Sequence, residues 1–350
     1  MHAFSAADSV SLAIQRTREF LFRPFRWGTY LKLGLVAIIT EGSANSFRSS
    51  GGGGGQSSGH GPIISSPLDI PPVYVAAMVA AALGVILLSL WIFYLITRMR
   101  FAFFHCLISN TKEIRPGWDL YREPALRFFW LNVMVGIGFL LLVVVLALPF
   151  VAGFLRLFQT IPPGGHPDVG LLLSLVLPLI PLILLLVLAG VLLDVVLRDW
   201  MLPHFAVDNA TAGEAWREVW QHVKAEKRQF LVYVLLRVAL PAVAMAVLFM
   251  ILLIPGLIVA GSFGALVYAI HAAFANSSGG AAEAGLLVQV FFGMVGFFLM
   301  VLAGICLGGP VSTGIREYSL TFYGGRYEAL GDILYPPAPQ SAPSIAPEIG

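Results

Sequence analysis

Long apolar runs, separated by short polar stretches, dominate this chain. A helix needs about 20 predominantly apolar residues to cross the hydrocarbon core of a bilayer. Five runs meet this requirement: Pro72–Thr97, Phe128–Phe154, Gly170–Leu197, Phe230–Ile254 and Gly285–Leu307. A weaker run begins at Trp27 and continues to Ile39, although it is marginal in length and contains Lys32. We therefore predict an all-α integral membrane protein with about six transmembrane helices.

Composition agrees with a membrane protein, and the basic residues orient it. Of the 350 residues, 58% are hydrophobic and only 11% are charged, whereas soluble domains carry about 25% charged residues. With six spans and an inner N-terminus, 18 of the 21 Lys and Arg residues fall on the cytoplasmic side, two (Arg48 and Arg156) fall outside, and Arg237 lies within a span. This positive-inside bias predicts that both termini are cytoplasmic.

Residues 256–275 complicate the number of spans, because they are also apolar enough to cross a membrane. A seventh span would place Arg316 and Arg326 outside, against the charge bias. We therefore expect a re-entrant or interfacial helix on the outer side of the membrane. Its expected packing residues follow a four-residue spacing: Gly256, Ala260 and Gly264.

The spans also show an internal repeat with a period of roughly 100 residues. A basic and aromatic pair opens the first, third and fifth spans, as in Arg26-Trp27 and Arg127-Phe128. The other three spans close on an arginine followed by aromatic residues. We predict three repeated hairpins, at about 5–110, 111–210 and 211–330, in a single membrane domain over 1–335 with a disordered tail at 336–350. The alternative to a true repeat is that basic and aromatic residues anchor the ends of any membrane hairpin at the interface.

Two polar segments predict amphipathic helices on the inner leaflet. Thr211 and Glu214 have the spacing of a capping box, and the helix after them places five residues on one face: Ala212, Trp216, Val219, Trp220 and Val223. Ser9–Phe22 has a similar line of residues: Val10, Ile14, Thr17 and Leu21. Five consecutive glycines within Ser49–Gly61 predict a flexible outer loop.

Charged residues inside the spans are the main candidates for a functional site, because charge at that depth is costly. Asp194 lies in the fourth span and Arg237 in the fifth, at similar levels if Arg237 extends toward the inner surface. We predict an Asp194–Arg237 ion pair. It is either a charge gate or anion-binding site, or a structural pair that joins two hairpins, and we favour the second interpretation.

A second set of candidates is the arginine at the end of each hairpin: Arg98, Arg198 and Arg316. These side chains either bind the phosphate of lipid headgroups or anchor the helix ends at the interface, and we favour anchoring. The two cysteines and the seven scattered histidines show no metal-ligand spacing, and the glycine run lacks the Lys of a phosphate-binding loop. We expect no metal, no cofactor and no enzymatic activity.

An Ala215-Trp216 helix start, a Lys227-Arg228 exit and a long apolar hairpin together resemble a broad group of uncharacterised prokaryotic membrane proteins. The pattern is also similar to the membrane domain fused to some glycerophosphodiester phosphodiesterases, over about residues 100–330. The chain has no soluble segment long enough for that family's catalytic domain, so the resemblance implies no catalytic residue.

Our leading hypothesis is a non-enzymatic protein of a prokaryotic cytoplasmic membrane that acts as a scaffold, an assembly factor or a lipid-interacting component. Membrane lipids are the expected partners, other membrane proteins or a second copy are left open, and nucleic acid is not expected. The alternative is a transporter or channel for a small molecule or lipid, with a polar site near Asp194 and Arg237. A membrane enzyme ranks third.

Overall fold

The computed structural model describes residues 4–49, 72–160, 169–274 and 280–336. Within these ranges, every regular element is helical, which confirms the predicted all-α class. The predicted glycine-rich loop beyond Ser49 and the predicted tail beyond Pro336 lie outside the described residues. The helices are α1 (Asp8–Phe22), α2 (Trp27–Ser49), α3 (Pro72–Ile108), α4 (Arg115–Leu120), α5 (Arg122–Thr160), α6 (Val169–Val195), α7 (Leu202–Val207), α8 (Ala212–Ala225), α9 (Lys227–Phe274), α10 (Gly280–Gly324) and α11 (Glu328–Leu334), and a π-helical segment, Val196–Met201, joins α6 to α7.

Five of the described helices are long and apolar enough to cross a membrane. They cover Val73–Ile108, Arg122–Leu157, Leu172–Val207, Lys227–Phe274 and Glu283–Gly324. The five unambiguous apolar runs are thereby confirmed as helices of this kind. Helix α2 is not among them, since its 23 residues include Lys32, Glu41 and several other polar side chains.

Helices α9 and α10 are much longer than one crossing requires. The 48 residues of α9 extend for about 72 Å, more than twice the roughly 30 Å of a hydrocarbon core. Helix α9 continues through Pro255 to Phe274, so the expected separate re-entrant helix over residues 256–275 is wrong for the described part of that segment. Its expected packing through Gly256 and Gly264 is also wrong, because a Cβ atom built on either glycine meets nothing within 4 Å.

The chain divides into two compact units. The first comprises Met1–Gly51, His105–Glu113 and Glu226–Gly350, and the second comprises Gly52–Phe104 and Ile114–Ala225. In both units most buried side chains lie near one end of the long helices, where short helices pack on them, whereas Leu157 is buried near the other end of α5. In the most apolar 18-residue window of each candidate span, by contrast, no residue is buried by protein.

Helix α10 organises the first unit, because α1, α2, α9 and α11 all pack on it. The core is aromatic where α9 meets α10. The ring of Tyr233 stacks between Tyr318 and Phe322, with ring centroids 5.0 Å and 4.4 Å away. Offset stacking of this kind adds to the free energy gained from burying the rings.

Helices α2 and α10 approach closely through glycine. A Cβ atom on Gly309 would lie 2.7 Å from the Cα of Gly34, and one on Gly308 would lie 3.1 Å from a methyl group of Ile38. Gly304, four residues before Gly308, has nothing within 4 Å. Small residues let helix backbones meet in this way in membrane proteins.

In the second unit, Phe128 of α5 lies between Phe101 of α3 and Phe205 of α7, with ring centroids 5.6 Å and 5.3 Å away. The π-helical segment ends at Met201, two residues before Pro203, which has no backbone N–H to donate to the carbonyl of Asp199. Insertions of one residue into a helix often occur next to such defects and at functional sites.

Helices α1 and α8 each bury one side against the protein. Helix α1 buries Ser9, Ala13, Thr17, Phe20 and Leu21, whereas Ile14 is largely exposed. Helix α8 buries Ala215 and Val219, whereas Trp216 and Trp220 are about half exposed. The capping box at the start of α8 is present: the Glu214 carboxylate accepts hydrogen bonds from the backbone N–H and the hydroxyl of Thr211, at 2.9 Å and 2.8 Å.

Candidate functional site

Two triplets with the order arginine, acid, aromatic lie in the buried helix ends. Arg198, Asp199 and Trp200 occupy the π-helical segment of the second unit. In α10 of the first unit the same order recurs as Arg316-Glu317-Tyr318, and all six residues are buried. The internal repeat pointed to the arginines and the aromatic residues. It gave no sign that Asp199 and Glu317 would be buried beside them.

A short helix contacts each of the three places where the sequence predicts the end of a hairpin. In the first unit, Arg16 of α1 donates from Nε to the Glu317 carboxylate at 3.1 Å. In the second unit, the Arg98 guanidinium donates two hydrogen bonds to the Trp118 carbonyl of α4 and lies 4.4 Å from the centre of its ring. Helix α8 packs on the π-helical segment and on α7.

Both residues of the predicted intramembrane pair have a charged neighbour in their own unit. Asp194 lies 3.6 Å from Arg198, one helical turn away. The Arg237 guanidinium donates from Nη2 to a Glu41 carboxylate oxygen at 3.1 Å, which joins α9 to α2. The Asp194–Arg237 pair, which would connect the two units, stays a prediction.

The three arginines that are candidates for headgroup binding or interface anchoring differ in exposure. Arg98 keeps some exposed surface, whereas only 2% of the surface of Arg198 and of Arg316 is exposed. Burial of an arginine requires partners in the protein. Their role in binding lipid phosphate stays a prediction.

An exposed aromatic and basic surface lies on α8. The rings of Trp216 and Trp220 stack with centroids 6.0 Å apart, and the Lys224 ammonium lies 5.5 Å from the centre of the Trp220 ring. Ala215 and Val219 on the neighbouring face of α8 are buried by the protein, whereas about half of each tryptophan is exposed. We call Trp216, Trp220 and Lys224 the tryptophan surface.

Three side chains in the second unit have the geometry of a metal site. The ligand atoms of His204, Asp208 and Glu218 all lie within 4.8 Å of one another. The sequence alone did not indicate this group, because it contains no two histidines at the spacing of metal ligands. The detectable signal was His204 and Asp208, four residues apart and therefore on one helical face.

Comparison with known proteins identifies the family of this chain but assigns it no activity. A family model matches residues 4–333. The chain belongs to DUF7544, a family of unknown function. Membership of DUF7544 agrees with the predicted resemblance to an uncharacterised family. No curated protein and no solved structure shows a significant match, so similarity to the membrane domain of glycerophosphodiester phosphodiesterases stays a prediction.

Proposed function

We propose that this DUF7544 protein is a non-enzymatic membrane protein of a prokaryotic cytoplasmic membrane that acts as a lipid-interacting scaffold. The tryptophan surface carries the proposal. Exposed tryptophans beside a lysine, on a helix whose other side is held by protein, suit the region between headgroups and acyl chains. Basic side chains on such a helix add attraction to anionic lipids.

A second aromatic and basic group supports the same conclusion in the first unit. Phe25 lies between Phe22 and Trp27, with ring centroids 6.1 Å and 5.1 Å away, and all three rings are substantially exposed. Arg23 and Arg26 lie among these rings in the sequence and are also exposed. The segment before α2 therefore suits the interface as well.

The contacts of the short helices support three repeated hairpins. Helix α4 leads the second hairpin and contacts the end of the first, through Trp118 and Arg98. Helix α8 leads the third and packs on the end of the second, whereas α1 leads the first and packs on the end of the third. Each leading helix thus contacts the preceding hairpin in cyclic order, which is what an ancestral unit repeated three times would produce.

In this proposal α2 is the sixth span and both termini are cytoplasmic. The orientation can be tested by replacing Cys106 and Cys306 with serine and introducing Gly55→Cys or Ser344→Cys. A membrane-impermeant maleimide should label the cysteine at position 55 in intact cells, and the one at position 344 only after permeabilisation. Labelling in the opposite order would overturn the orientation.

The lipid-interacting role is tested by lipid retention. Full-length protein is reconstituted into an equal mixture of phosphatidylglycerol and phosphatidylcholine, extracted, and analysed by native mass spectrometry. We expect the wild type to retain phosphatidylglycerol preferentially. The double variant Trp216→Ala, Trp220→Ala and the variant Lys224→Gln should each reduce this preference, because they remove the exposed rings or the adjacent charge.

Arg156→Gln is the matched control, since Arg156 is exposed and lies on the side predicted to be outer. It should leave the lipid preference unchanged. Equal retention of the two lipids by the wild type would contradict the proposal, as would unchanged preference in both tryptophan-surface variants.

A further inference from the structure

We propose that His204, Asp208 and Glu218 form a binding site for a divalent transition-metal ion such as Zn²⁺ or Mn²⁺. The set offers one imidazole nitrogen and two carboxylate oxygens. Imidazole favours first-row transition metals over Mg²⁺ and Ca²⁺, and carboxylates complete three-ligand sites of this kind.

The distances are those of a site that needs only small adjustments of the side chains. His204 Nδ1 lies 3.2 Å from Oε2 of Glu218 and 3.9 Å from Oδ2 of Asp208. Zn²⁺ binds nitrogen and oxygen ligands at about 2.0–2.2 Å, so ligands that share an ion lie roughly 3–3.5 Å apart. The two carboxylates are about half exposed and can adjust, whereas the histidine is fully buried and held in place.

A cleft gives an ion access and room for water ligands. It has a volume of about 350 Å³, and both Asp208 and Glu218 line it. Glu214, Arg217 and Gln221 also line this cleft, so its wall carries one positive side chain beside the carboxylates. A three-ligand site with water in its open positions is the arrangement in which Zn²⁺ and Mn²⁺ keep exchangeable coordination.

The chain turns sharply at this point, and the turn brings the third ligand to the first two. Helix α7 ends at Val207 with Asp208 as its C-cap, and Asn209 follows in the left-handed conformation with φ 53°. Asparagine adopts this conformation more readily than most residues. Arg127 of α5 donates a hydrogen bond to the Asn209 side chain, which fixes the turn. Helix α8 then returns along α7 and presents Glu218.

The end of α3 provides an internal contrast. His105, Ser109 and Asn110 repeat the spacing of His204, Asp208 and Asn209, and Asn110 is also left-handed with φ 51°. Ser109 Oγ lies 3.5 Å from the His105 ring nitrogens. A neutral hydroxyl is a much weaker ligand than a carboxylate, so of these two helix ends the one at Asp208 offers the stronger set of metal ligands.

A bound ion would join α7 to α8 and hold the tryptophan surface in place. This inference rests on the geometry of α7 and α8 and does not depend on the proposed lipid-interacting function. Metal binding is measured on protein in detergent, and lipid preference is measured on variants of the tryptophan surface, so each can fail separately.

The test uses tag-free full-length protein stripped with EDTA and titrated with Zn²⁺, Mn²⁺ and Mg²⁺ by isothermal titration calorimetry. We expect one Zn²⁺ or Mn²⁺ per chain, bound much more tightly than Mg²⁺. Asp208→Asn and Glu218→Gln should each raise the Kd for Zn²⁺ at least about tenfold. Asp208→Ser, which reproduces the residue at the end of α3, should do the same. In the wild type, Zn²⁺ should also slow amide exchange in α8.

Glu214→Gln is the matched control, since it removes a carboxylate from the same cleft, leaves the three ligands unchanged and introduces a residue that also forms capping boxes. It should change the Kd for Zn²⁺ by less than about threefold. Gel filtration checks that every variant folds, which is expected because the substituted side chains are exposed or half exposed. The proposal is overturned if the wild type shows no saturable binding, if Asp208→Asn and Glu218→Gln bind like the wild type, or if Glu214→Gln weakens binding as much as they do.

Discussion

Arg237 and Glu41 form an ion pair between α9 and α2, with 3.1 Å between Nη2 and Oε2 and with only 12% and 6% of the two side chains exposed. Arg237 lies within a predicted span, and Glu41 lies just beyond the weaker predicted span that ends at Ile39. An isolated charge there would be strongly unfavourable. Each residue therefore provides the opposite charge that the other requires.

Removal of one member should destabilise the first unit. We expect Arg237→Gln or Glu41→Gln to cost about 3–5 kcal/mol, because each leaves an uncompensated buried charge, and to lower the apparent Tm in detergent. The double variant Arg237→Glu, Glu41→Arg should recover much of the loss. If the double variant Asp194→Arg, Arg237→Asp recovers stability and this one does not, the pair predicted from the sequence is the correct one.

Alanine substitutions at two glycines of α10, Gly309 and Gly304, should change the stability of the protein in opposite directions. Gly309→Ala places a Cβ 2.7 Å from the Cα of Gly34, and this overlap with backbone should cost about 1–3 kcal/mol. Gly304→Ala meets nothing within 4 Å and should stabilise α10 by about 0.5–1 kcal/mol. Thermal unfolding of the two variants in the same detergent checks the prediction, and equal Tm values would contradict the close contact of α2 with α10.

The Arg326 guanidinium should not be replaceable by lysine. Its Nε and Nη2 donate to one Glu226 oxygen at 3.0 Å and 2.7 Å, Nη1 donates to the Phe322 carbonyl at 2.9 Å, and the group lies 4.0 Å from the centre of the Phe322 ring. A lysine ammonium cannot make these contacts together.

We therefore expect Arg326→Lys to destabilise the protein by about 2 kcal/mol. Arg228→Lys, at an exposed position, should change stability by less than about 0.5 kcal/mol. Chemical denaturation in a lipid-like detergent separates the two outcomes. A similar effect of both variants would show that the position requires only a positive charge.

The capping box of α8 should give a pH-dependent difference between variants. Hydrogen bonds from the Thr211 backbone and hydroxyl hold the pKa of the Glu214 carboxyl below its usual value. Because the pKa is lowered in the folded state, the stabilisation is present above the unfolded pKa and is lost as the pH falls through the folded value.

Thr211→Ala should accelerate amide exchange in the first turn of α8 by about fivefold near neutral pH, and the difference from the wild type should shrink as Glu214 becomes protonated. Thr211→Ser retains the hydroxyl and serves as the control. Exchange is measured by mass spectrometry and corrected for the intrinsic pH dependence. A difference that does not vary with pH would show that Glu214 takes no part in the cap.

Local pattern was sufficient to predict the helical class, five long apolar helices and the capping box, because hydropathy and cap chemistry depend on residues close together in the chain. Local pattern did not predict that α9 continues as one helix to Phe274. Pro255 is followed by a further apolar run, and composition alone does not distinguish one long helix from two.

Tertiary structure decided which side chains meet. The long helices are apolar on all sides, so their sequences contain no amphipathic signal for the face that contacts protein. For this reason the pairing of Arg237 with Glu41, and the close contact of α2 with Gly308 and Gly309 but not with Gly304, followed only from the fold. The grouping of His204, Asp208 and Glu218 also followed only from the fold, because the turn at Asn209 packs α8 against α7.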